Sequence, residues 1–155
     1  MYTELDFYKI SIDIHGARSK KDDLIGAEEI PIPNVIIYSG RGLRLVWLID
    51  RMVYTEKYIK LWSRMQKVIY ERLQCLHADN AARSGLQIFR LPGSVHSITN
   101  TVVKAECLKE MRYTITELKD SLLDELPEDW RKQGQSEKKL GIEKEKKTGK
   151  RKDKD

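Results

Sequence analysis

Three short segments hold the residues whose types and spacing could do chemistry. The first is Ile10-Ser11-Ile12-Asp13-Ile14. Read as a strand, it puts Ser11 and Asp13 on the face opposite the isoleucines, because residues i and i+2 point the same way. Two carboxylates there would chelate a divalent cation, which wants several oxygens. The segment offers one carboxylate and one hydroxyl, and an ordinary polar strand face is the plain alternative. The second segment is Ser39-Gly40-Arg41-Gly42-Leu43-Arg44. Glycines let backbone N–H groups converge on a concavity that holds phosphate, and Arg41 and Arg44 add forked donors that fit phosphate oxygens. The same spacing suits a hairpin turn with two solvated arginines, and no Gly-Lys-Ser/Thr follows to make a Walker A loop. The third segment runs from Ala78-Asp79 to Phe89-Arg90-Leu91-Pro92-Gly93-Ser94-Val95-His96-Ser97. Arg90, just before a Pro-Gly turn, is set to aim a guanidinium into a cleft, whereas His96 reads as a turn histidine. No Ser/His/Asp set stands out, and Cys75 and Cys107 have no evident activating partner. His15, His77 and His96 lack zinc-ligand spacing.

These segments need elements to hold them. Apolar alternation predicts strands over residues 5–14, 34–38, 43–49 and 86–91, and a weaker one from 103 to about 113. The glycine turn at 39–42 joins two of them into a β-hairpin. Residues 16–23 read as a loop, and 22–30 as a short helix. Residues 55–78 carry the clearest helical stripe, Tyr58, Leu61, Trp62, Met65, Val68, Ile69, Leu73 and Leu76, with Thr55 as its N-cap. Thr114-Ile115-Thr116-Glu117 has capping-box form and opens a helix to about residue 126. The expected fold is α+β: a mixed or antiparallel sheet with a central β-hairpin and helices packed on it.

Composition limits the partners. The 155 residues carry a net charge of +5. Residues 131–155 contain 11 basic and 5 acidic side chains, so the tail holds +6 and the body −1. The tail has almost no apolar residue and is expected to be disordered; its charges either solvate the chain or touch nucleic acid nonspecifically. This gives an α+β domain over residues 1–127 and a lysine-rich tail over 128–155. No apolar run approaches a membrane span, the acidic start lacks the form of a signal peptide, and two cysteines are too few for a disulfide framework. A cytoplasmic protein without a membrane partner is expected.

Taken together, the three segments resemble the archaeo-eukaryotic primase superfamily, specifically the primase-polymerase domains of plasmid and mobile-element replication proteins. The matching residues are Ser11-Ile12-Asp13-Ile14-His15, then Ser39-Gly40-Arg41-Gly42-Leu43-Arg44-Leu45-Val46-Trp47, then Gln87-Ile88-Phe89-Arg90-Leu91-Pro92-Gly93-Ser94-Val95-His96-Ser97. Arg112-Tyr113-Thr114-Ile115-Thr116-Glu117-Leu118 is similar to the segment that trails the domain. The likeness covers about residues 5–127 and implies an RRM-like core. In that family an Asp-x-Asp pair and a later aspartate bind catalytic divalent metals, and a histidine after the glycine turn contacts nucleotide phosphates. Here the first aspartate position holds Ser11, leaving Asp13 as the one matching motif carboxylate. Arg44 stands at the histidine position. The later aspartate falls near Ser84, with Asp79 displaced upstream; Gln87 and Ile98 replace an arginine and a lysine. Arg44 would repel a metal yet could replace it as a phosphate partner.

The resemblance thus implies a shortened, metal-depleted derivative, starting where the motif strand starts. It would bind DNA or nucleotide through Ser39, Gly40, Arg41, Gly42, Arg44 and Arg90, with no cofactor required and no efficient catalysis. Two alternatives stand beside it. One is an active primase or polymerase with magnesium or manganese at Asp13 and Asp79. The other is a regulatory protein that binds a replication initiator or helicase.

Overall fold

A computed structural model describes residues 1–51, 55–84 and 88–123. Strands β1 (Tyr2–Leu5), β3 (Leu43–Val46), β2 (Val35–Tyr38) and β6 (Lys104–Cys107) form one antiparallel sheet in that spatial order. A second, two-stranded sheet pairs β4 (Val95–His96) with β5 (Thr101–Val102). Three helices, α1 (Ile14–Gly26), α2 (Glu56–Arg72) and α3 (Ile115–Leu122), complete the α+β architecture.

The hairpin β2–β3 forms where expected, because Ser39–Gly42 supplies a turn whose Gly40 sits at φ +102°. Helix α2 starts at the expected cap, Thr55 accepting from the Tyr58 amide. Its stripe of Leu61, Met65 and Ile69 is fully buried, as are Leu5, Leu43 and Leu45 of the sheet and Leu118 and Leu122 of α3. Trp47 is buried and donates its indole N–H to the Pro31 carbonyl at 2.9 Å, which makes it a core residue. Asn34 clamps the far edge: its amide donates to the Lys109 and Met111 carbonyls at 2.9 and 2.8 Å and accepts from the Leu48 N–H at 2.8 Å. The capping box on α3 closes as expected, with Thr114 and Glu117 each bonding the other's backbone N–H.

The N-terminal expectation fails. Only Leu5 of the predicted 5–14 strand lies in one, since β1 begins at Tyr2. Phe7–Ile10 is a 3-10 turn, Ser11 follows at φ 56°, and Asp13 caps α1, its carboxylate accepting from the Gly16 amide at 2.7 Å. Alternating isoleucines fit a strand, but a cap with good helix formers behind it favours a helix, and α1 covers residues expected to be a loop. Helix α2 also ends earlier, passing into a 3-10 turn at Gln74–Leu76. The predicted strand at 86–91 falls partly outside the described residues, and its described part is irregular. The tail lies outside the described residues. Among those described, no helix is long and apolar enough to cross a membrane.

Candidate functional site

Strand β1 builds the site. An antiparallel bridge pairs Leu5 with Ala78; the Asp79 amide donates to the Glu4 carbonyl at 2.8 Å and the Asp6 amide to the His77 carbonyl at 3.1 Å. Buried Gln66 of α2 ties the two segments down, its side-chain amide reaching the Tyr2 carbonyl and, at 3.0 Å, the Ala82 carbonyl. Thr3 and Leu5 point into the core, so Tyr2 and Glu4 alternate onto the other face, and Asp6 follows just past the strand's end.

Across the sheet, Glu4 is in register with Arg44 of β3 and forms an ion pair with it. The Arg44 side chain is only 7% exposed and that of Glu4 13%. The guanidinium lies 4.1 Å from the Phe89 ring centroid, within cation–π range. Phe89 in turn packs edge-on against Tyr2, whose hydroxyl donates to the Ser84 carbonyl at 2.7 Å. The Ser39 hydroxyl lies 3.1 Å from both a Glu4 carboxylate oxygen and the Gly42 carbonyl. Burial pushes the Glu4 carboxyl above its ordinary value, and Arg44 and the Ser39 hydrogen bond pull it part of the way back. Asp6 pairs with Lys9 at 2.5 Å, a hydrogen bond that holds the Lys9 ammonium above its usual pKa. Asp79 caps the 3-10 turn Asn80–Arg83, accepting from the Ala81 amide at 3.0 Å.

The glycine turn closes the other side. A Cβ on Gly40 would lie 2.8 Å from the hydroxyls of Thr99 and Thr101 and 2.9 Å from His96 Cβ; one on Gly42 would lie 2.5 Å from the Leu5 carbonyl oxygen. The turn therefore packs directly on β1 and on the β4–β5 hairpin. Beneath it opens a cavity of about 300 Å³ lined by Phe7, Ile14, Tyr38, Arg41, Thr101 and Val102 with the two glycines. Arg41, exposed at its rim, lies 5.9 Å from the Tyr8 ring centroid.

The expected residues are thus partly gathered. Gly40, Arg41 and Gly42 border one cavity, Ser39 is buried beside it with its hydroxyl on Glu4, and Arg44 lies on the adjoining strand but is committed to Glu4. Arg90 is exposed in an irregular segment beyond Phe89. Asp13 is exposed at the start of α1, where its carboxylate serves the helix. His96, expected in a turn, instead ends β4 and is buried, its Nδ1 accepting from the Ile98 and Thr99 amides at 3.2 and 3.1 Å. Sequence reasoning missed Glu4 and Asp6. Their signal was present, since Glu4-Leu5-Asp6 is an acid-x-acid pair a few residues ahead of Ile10–Ile14.

Divalent metals do not fit this donor set. Glu4 and Asp6 are each paired with a cation of the chain itself, and Asp79 spends an oxygen on its turn. Among the described residues no three His, Cys, Asp or Glu side chains form a group that could hold a metal ion.

Comparison with known proteins adds three findings. No protein-family model matches the chain. It is 33% identical over 144 residues to a replication protein of Clostridium perfringens, a match covering 89% of this chain and 34% of that one. The chain therefore spans about a third of that relative's length. Its fold is similar to the AEP domain of the cyanophage S-2L primase-polymerase, with a TM-score of 0.59 at 17% identity over 79% of this chain and 58% of that one.

Proposed function

We propose that this chain is a replication-associated, primase-polymerase-like domain of a plasmid or mobile element that holds nucleic acid or nucleotide phosphates without efficient catalysis. The likeness in fold and the similarity to a replication protein support the class of function. The observation that carries the reading is the Glu4–Arg44 pair beside the Ser39–Gly42 turn. Two-metal nucleotidyl transfer needs carboxylates free to hold cations at the attacking and leaving oxygens, and here the strand's carboxylates already have partners. Phosphate oxygens would be met instead by the turn's backbone, by Arg41 at the cavity rim and by Arg90, with forked donors suited to them.

The test is binding of labelled single-stranded DNA and of a nucleoside triphosphate at low and physiological salt, with a primer-synthesis assay alongside. The expected outcome is binding that weakens with salt and no incorporation. No binding at either salt overturns the reading. One observation favours a catalytic alternative: the backbone bonds that join the segment carrying Glu4 and Asp6 to the segment carrying Asp79. Under that reading, synthesis with magnesium or manganese occurs and disappears in Asp6→Ala, while Asp13→Ala retains it.

A further inference from the structure

Arg44 is held from two sides, by Glu4 in register across β1–β3 and by the face of Phe89 at 4.1 Å. Its Nε is buried without a hydrogen-bond partner, so the guanidinium stays for its charge and its stacking and not for a saturated hydrogen-bond set. A histidine or lysine so placed could shed its proton to admit a second cation; a guanidinium cannot. A divalent ion approaching Glu4 must then either sit beside a fixed positive charge or push it off. Displacement would leave a nearly buried arginine without its carboxylate. Asp6, the neighbouring donor, carries its own cation in Lys9.

We propose that Arg44 is a resident counter-ion that excludes divalent cations from Glu4 and Asp6 and makes phosphate binding at the adjoining Ser39–Gly42 turn independent of divalent metal. The second half rests on the proposed phosphate-binding function; the first half does not. Charge that a metal would bring to a bound phosphate comes here from the chain's own arginines.

The experiment is a titration of manganese(II) into the full chain, followed by electron paramagnetic resonance of the free ion. Wild type should hold no ion that Asp6→Asn or Glu4→Gln releases. Arg44→Gln should gain a site that binds about tenfold more tightly or better, as removal of an adjacent like charge predicts, and Glu4→Gln on that background should abolish it. Arg44→Met, which keeps an apolar stem against Phe89, serves if Arg44→Gln folds poorly. Manganese held by wild type and lost in Asp6→Asn overturns the proposal whatever the Arg44 variants do, and so does a folded Arg44 variant with no gain. Nucleoside triphosphate binding to wild type is measured separately with EDTA and with magnesium. Equal affinities support metal independence, and a requirement for magnesium overturns it. Loss of nucleotide binding in both, with the manganese results as expected, removes the phosphate-binding function and leaves the counter-ion role standing.

Discussion

Glu4 and Arg44 sit directly opposite one another in the β1–β3 register and form a nearly buried ion pair. Paired residues in antiparallel strands share a face, so this single register fixes both the sheet edge and the charge of the site. A pair so little exposed gains modest net stability over an apolar substitute, yet breaking it leaves one charge stranded.

Arg44→Ala should therefore destabilise the fold by about 3 kcal/mol at neutral pH, the order found when one member of a buried pair is lost. The cost depends on pH with a definite sign. Burial already raises the Glu4 carboxyl above its ordinary value, and losing Arg44 raises it further. A group raised in the folded state contributes stability below its unfolded value and loses it as pH rises through its folded value. Urea unfolding should then show the variant nearest to wild type around the ordinary glutamate range, and falling behind as pH climbs to 7. A deficit that does not change with pH would mean the damage is loss of packing on Phe89.

The glycine turn gives a graded comparison. Gly40→Ala meets two hydroxyls and His96 Cβ at a positive φ, and should cost about 1–3 kcal/mol through strain. Gly42→Ala meets a backbone carbonyl at 2.5 Å, which cannot swing aside, so β1 must move from β3. Gly26→Ala meets nothing within 4 Å and should be neutral or slightly stabilising. Thermal melts rank the three. Labelled-nucleotide binding should fall for the first two and hold for the third.

Legibility in the sequence followed range. The β2–β3 hairpin, the α2 stripe and the Thr114–Glu117 box depend on neighbours a few residues apart, and each was readable. The β1–β3 register joins residues 40 apart, and nothing local announces that Glu4 faces Arg44. Ile10, Ile12 and Ile14 alternate as a strand does, but Asp13 spends its carboxylate on the Gly16 amide and begins a helix. That misassignment drew the reading to Ser11 and Asp13, away from Glu4 on β1 and Asp6 just past its end. The glycine turn was readable as the turn of a hairpin, whereas its packing on Thr99, Thr101 and His96 depends on the unforeseen β4–β5 hairpin.

The capping box of α3 predicts an acid response of opposite sign. The Thr114 backbone N–H, and then its hydroxyl, hold the Glu117 carboxyl below its ordinary value. A depressed carboxyl contributes stability above its unfolded value and loses it as pH falls through its folded value. Thr114→Ala should cost about 1 kcal/mol as a lost N-cap, with a deficit largest at neutral pH that shrinks on acidification as Glu117 protonates. Amide exchange along Ile115–Leu122 measures it directly, and a deficit that grows on acidification would contradict the assigned hydrogen bonds.

Charge partition yields the last prediction. The overall +5 is a body near −1 and a tail, residues 131–155, at +6. A lysine-rich tail contacts phosphates without geometric selection, and each phosphate neutralised on a single strand contributes about −0.7 to the slope of log affinity against log salt. A fixed cleft with a few arginines contributes a small part of that slope but decides which ligand fits. Removing residues 131–155 should therefore flatten the salt dependence of single-stranded DNA binding while leaving nucleoside triphosphate affinity unchanged, both read by fluorescence anisotropy over a salt series. If the slope survives deletion, the electrostatic footprint lies on the body, and Arg41 and Arg90 become the side chains to neutralise next. If triphosphate affinity falls with the slope, the tail itself reaches the ligand, and the separation of steering from recognition is wrong.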